Sequence, residues 1–90
     1  MRRIQPETLV RNVGRRIVEL RRAAGLTQAA FAEKLGCSIQ YASLVERGTQ
    51  NLGLTSLAQV ANVLGVGVEE LLRVPSAEAK VVKRGRPRTR

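Results

Sequence analysis

Ninety residues suffice for one small domain with a tail and leave no room for a second core. Sixteen Lys and Arg against seven Asp and Glu give a formal charge of +9, which points to a polyanionic partner. Histidine is absent and Cys37 is the single cysteine, which excludes an intrachain disulfide and the usual Cys/His metal site. The few carboxylates lie scattered, so no catalytic residue and no cofactor is assigned. A lone thiol fits a reducing cytoplasm, and a chain this basic would associate with the nucleoid. The N-terminus MRRIQPETLV has no apolar run after its arginines and is not a secretion signal. No apolar stretch approaches the ~20 residues needed to cross a bilayer, so no membrane partner is expected. Aromatic residues make up only 2% of the chain, so its core must be aliphatic around Phe31, thin enough to gain from a dimer interface.

Residues 1–6 read as a flexible N-terminal arm, with Pro6 and Glu7 marking a helix start. Leu9, Val13, Ile17, Leu20 and Ala24 recur at three- and four-residue spacing, one apolar stripe on a helix ending at Gly25. Arg11, Arg15, Arg16 and Arg22 fall on its other faces, as solvated charge or, for Arg22, as a phosphate contact.

Residues 27–46, TQAAFAEKLGCSIQYASLVE, read as two short helices joined by a tight turn at Leu35-Gly36-Cys37-Ser38. Thr27 and Ser38 are good N-caps, and Gly36 suits a left-handed C-cap. Leu26 and Phe31 have the spacing of a hydrophobic staple. Small residues at Ala29, Ala32 and Ala42 allow the two helices to cross closely, which is helix-turn-helix geometry. The spacing predicts a fourth helix whose apolar face is Leu54, Leu57, Ala58, Ala61 and Leu64, stopped by Gly65. A short fifth helix follows over Val68 to Leu72, with Glu69 and Glu70 in its first turn. The folded domain is then residues 7–74 and the basic tail residues 75–90.

The string Leu26-Thr27-Gln28, Phe31-Ala32, Leu35-Gly36, Ser38 and Glu46-Arg47-Gly48 resembles the lambda-repressor and Cro-like helix-turn-helix proteins, also called the xenobiotic-response-element family. The likeness extends from Arg21 to Leu57, Ala61, Leu64-Gly65-Val66 and Glu70-Leu71-Leu72. It implies an all-α, five-helix lambda-repressor-like DNA-binding domain, here with a disordered basic C-terminal tail. It also implies that Arg21 pairs with Glu46, a structural link from the first helix to the third. Small members of the family use the last helix and its preceding loop as a two-fold interface. A homodimer is therefore expected, although Leu71, Leu72 and Val74 would equally serve to finish the monomer core. The family usually has Val or Thr where Cys37 stands, so that residue reads as small, apolar and buried.

Double-stranded DNA is the implied partner. Base reading falls to Ser38, Ile39, Gln40, Ser43 and Leu44 on the exposed N-terminal part of the third helix. Gln40 suits an adenine edge and Ile39 a thymine methyl. Gln28, Arg47, Thr49, Gln50 and Asn51 are candidates for phosphate on the two flanks, and Tyr41 is either core or a phosphate donor. Relatives carry polar or basic residues at the positions of Ile39 and Leu44. Direct readout here is therefore thin, with more weight on DNA shape and the tail. Within that tail Arg84, Gly85, Arg86, Pro87 and Arg88 resemble an AT-hook: an extended backbone with arginines reaching into a narrow A·T minor groove. The alternative is a basic tail that only raises nonspecific affinity. The expected function is a sequence-specific transcriptional regulator, a dimeric repressor or controller protein that occludes or recruits RNA polymerase. The rivals are an antitoxin that also grips a toxin and an architectural A·T-preferring DNA protein.

Overall fold

In the computed structural model, described over residues 3–76, the chain order is α1 (Pro6–Ala23), α2 (Gln28–Leu35), α3 (Ile39–Glu46), α4 (Leu54–Leu64) and α5 (Val68–Leu71). Residues 84–88 of the tail and the first two residues of the arm lie outside the described residues.

Pro6 and Glu7 occupy the first turn of α1, where a missing amide and a negative charge are both favourable. Val13 and Ile17 are buried along it, with Leu9 and Leu20 partly buried beside them. Ala24 departs from the expected stripe: it is the C-cap and is exposed, because the chain turns away at Gly25. The core joins this face to Phe31, Ala32, Ala42, Val45, Leu57, Val60, Ala61, Leu64 and Leu71. On α4 the buried residues are Leu57, Val60, Ala61 and Leu64, whereas Leu54 and Ala58 point to solvent. The expected stripe was rotated: it took in those two residues and left out Val60. Gly53 caps this helix without a side-chain hydrogen bond.

Gly14 sets how closely α1 crosses the end of α3. A Cβ on it would lie 2.7 Å from the carbonyl oxygens of both Val45 and Glu46, closer than any packed carbon tolerates. Just beyond, Gly48 takes φ 76° and rests its bare Cα side on Arg11 of α1. The two glycines let backbone meet backbone and so fix where α3 ends.

Arg16 is not a solvated surface charge. Its Nε donates to the Glu70 carbonyl at 2.7 Å, its Nη2 to Glu70 Oε1 at 2.8 Å and its Nη1 to Glu19 Oε1 at 2.9 Å. This latch holds the single turn of α5 against α1 and seats Leu71, which is wholly buried. Arg73 adds a second donor to the same Glu70 oxygen at 2.9 Å, and these hydrogen bonds hold the Glu70 carboxyl below its ordinary range. Pro75 is also buried, so the folded part runs one residue past the expected boundary at Val74. Leu72 and Val74 remain 50% and 72% exposed; of the three apolar residues near this end, only Leu71 completes the monomer core.

Candidate nucleic-acid interface

The helix-turn-helix is built by its caps. Thr27 Oγ1 accepts the Ala30 amide and Ser38 Oγ accepts the Tyr41 amide, each at 3.0 Å. Gly36 between the helices adopts φ 80°, a left-handed conformation that costs a residue with a Cβ about 1–2 kcal/mol. The Cys37 amide then closes back on the Ala32 carbonyl at 3.0 Å, which fixes the turn. Ala32 and Ala42 are buried and allow the close crossing; Ala29, assigned to the same contact from sequence, is exposed. Cys37 itself is only partly buried, and desolvation pushes its thiol up from its ordinary value, which disfavours the thiolate.

With Ala42, Val45 and Glu46 turned inward, α3 presents the opposite face to solvent. Ile39, Gln40, Ser43, Leu44 and Arg47 recur there at three- and four-residue spacing. Together with Gln28 from the first turn of α2 they line one shallow open hollow. Ile39 and Gln40 are exposed, and Ser43 and Leu44 are partly covered. Ser38 lies at the edge with its oxygen engaged in capping.

A buried ion pair is joined to the hollow through Gln28. Arg21 Nε donates to Glu46 Oε2 at 2.6 Å and Arg21 Nη2 to Glu46 Oε1 at 3.1 Å, while Nη1 reaches the Leu26 carbonyl at 3.0 Å. Both side chains are nearly buried, at 11% and 5% exposure. Charge-assisted bonds in such a setting are stronger than neutral ones, and each charge depends on the other. Gln28 completes the group, donating from Nε2 to Glu46 Oε1 at 3.0 Å. Gln28 therefore lines the hollow and bonds the buried pair at once. In this conformation one of its side-chain donors is held by Glu46 rather than offered outward.

The flanks are less uniform. Arg22, a few residues before the motif in sequence, and Arg47, directly after it, are exposed cations. The Thr49 hydroxyl donates to the Leu44 carbonyl at 2.9 Å, which uses it to cap the end of α3. Asn51 is exposed and Gln50 partly buried, and both line an apolar cleft with Leu9, Val13, Leu52, Leu57 and Leu72. The Tyr41 ring is partly buried and packs against the core.

Sequence reasoning missed three positioning features: Gly14, the Arg16–Glu70 latch and the Gln28–Glu46 bond. Gly14 was detectable. A glycine inside a helical pattern costs about 1 kcal/mol relative to alanine and calls for a packing reason. The other two are long-range pairings with no signal in local spacing.

Residues 17–71 match the Helix-turn-helix family, a span that holds the motif, the ion pair and all of the buried core except Val13. The chain belongs to that family. Among its relatives is an uncharacterized HTH-type transcriptional regulator, y4dJ, of Sinorhizobium fredii. That protein is 42% identical over 60 residues, covering 67% of this chain and 78% of the relative. The restriction-modification controller protein C.AhdI from Aeromonas hydrophila superposes with a TM-score of 0.65 at 35% identity, over 69% of this chain and 94% of its own. SinR, the master regulator for biofilm formation solved in complex with DNA, superposes with a TM-score of 0.63 at 37% identity, over 68% and 98%. No helix among the described residues is long and apolar enough to cross a membrane.

Proposed function

We propose that this helix-turn-helix chain, a DNA-binding transcriptional regulator, reads an operator with the outer face of α3 laid in the major groove. The observation that carries the reading is the hollow lined by Gln28, Ile39, Gln40, Ser43, Leu44 and Arg47, tied through Gln28 to the buried Arg21–Glu46 pair. Gln40 is the base-reading residue with the best hydrogen-bonding capacity, since its amide matches both edges of an adenine. Arg22, Arg47 and Asn51 take phosphates on the two flanks and set the register. The Arg84–Arg88 stretch reaches an adjacent A·T-rich minor groove.

The chain acts as a homodimer on two half-sites. Leu54 at 83% exposure, Leu72 at 50% and Val74 at 72% support this, because they leave apolar area around the ends of α4 and α5 without a partner. Occupancy then occludes or recruits RNA polymerase. Selection of bound duplexes from a random pool tests the proposal, with the full chain and with residues 76–90 removed. Two half-sites spaced by multiples of ~10 bp support the dimer. A preference that vanishes with the tail moves the specificity to the minor groove, and no preference at all refutes a sequence reader.

A further inference from the structure

The reading hollow holds an apolar pair where a protein of this kind would gain most from hydrogen-bonding groups. Ile39, the first residue of α3, is 49% exposed, and Leu44 lies partly exposed on the same face. Donors and acceptors flank them: Gln40 and Ser43 on α3, Gln28 across the hollow, and the Arg47 guanidinium at the far end. Residues at the start of a recognition helix are those that approach base edges most closely. An aliphatic side chain there has no way to choose between hydrogen-bonding patterns. The major-groove group that it does distinguish is the methyl on C5 of a pyrimidine, the one apolar projection on a base edge.

We infer that Ile39 is a specificity-determining residue that reads the C5 methyl of a pyrimidine. This rests on the DNA-reading role proposed above. The chemistry is common to thymine and 5-methylcytosine, so the same contact makes binding respond to cytosine methylation at that position. The two bases differ in their hydrogen-bonding edges and hence in absolute affinity. The increment from the methyl itself is shared. Burying one methyl-sized group corresponds to about a fourfold change in affinity.

The test uses the full chain and its selected operator. At each pyrimidine of a half-site, four duplexes are compared: thymine, uracil, cytosine and 5-methylcytosine. The uracil duplex removes the methyl and leaves every hydrogen-bonding group in place. At one position thymine binds about fourfold better than uracil, and 5-methylcytosine better than cytosine by the same factor. Both increments disappear in Ile39→Ala, an exposed position whose replacement leaves the far-ultraviolet circular dichroism unchanged. Equal binding of thymine and uracil at every position overturns the inference with the wild-type chain alone. So do increments that persist undiminished in Ile39→Ala. A pool that yields no preferred sequence removes the reader and the methyl contact together, whereas a preferred sequence bound equally with uracil removes only the methyl contact.

Discussion

Replacing Arg21 by Met leaves the Glu46 carboxylate, 5% exposed, with Gln28 as its remaining side-chain partner. Three hydrogen bonds are lost: two to that carboxylate and one to the Leu26 carbonyl. Breaking one side of a buried pair costs about 3–5 kcal/mol, most of it from the stranded charge. The lower end, about 3 kcal/mol, applies here because Gln28 still bonds the carboxylate and Arg21 sat at 11% exposure. A folded part of this size has a total stability of roughly 4–11 kcal/mol, so the loss removes between about a quarter and three quarters of it. The companion Arg21→Met/Glu46→Met removes both charges and should be more stable than Arg21→Met alone. Urea melts followed by circular dichroism measure all three proteins. A loss below about 1 kcal/mol in the single variant, the size typical of exposed pairs, would refute the reasoning. So would a double variant weaker than the single one.

Gly14→Ala should destabilise by about 1–3 kcal/mol despite the better helix propensity of alanine, because its Cβ meets the Val45 and Glu46 carbonyls at 2.7 Å. Gly36→Ala meets no neighbour and should lose only the left-handed backbone cost of about 1–2 kcal/mol; the same urea melts compare the two. The Arg73 and Arg16 hydrogen bonds lower the Glu70 carboxyl. The stability it adds is therefore present above the ordinary carboxylate range and lost as pH falls through the depressed folded value. Thermal melts should show this acid-side loss in the wild type and a shallower one in Glu70→Gln. Residues 77–90 hold six of the sixteen basic residues. If each meets a phosphate, removing the segment reduces the slope of log affinity against log salt by about 5, measurable by fluorescence anisotropy, and an unchanged slope would exclude the tail from the complex.

The motif was legible in the sequence because its determinants are local. Thr27, Gly36 and Ser38 act on backbone within four residues of themselves, and the structure places each cap as its chemistry requires. The Arg21–Glu46 pair spans 25 residues and was legible only through family resemblance. Elsewhere local spacing misled. Leu54, Ala58 and Val60 lie within two turns of one helix, and periodicity alone placed the stripe on the wrong two of them. On α4 it is Leu57, Val60, Ala61 and Leu64 that join the core with Val13, Ile17, Phe31 and Leu71, a set drawn from three other helices that local spacing does not reveal. The proposed reading face came with the family resemblance; Ile39 and Gln40 are exposed and Ser43 partly covered, while Ala42, Val45 and Glu46 are buried.

The most direct measurement compares wild type and Gln40→Ala on the selected operator, with each base pair of a half-site changed in turn. The account requires that the variant lose about 1–3 kcal/mol of discrimination at one position and keep the wild-type preferences elsewhere. A variant that binds every duplex as the wild type does would show that Gln40 does not read DNA and would contradict the account.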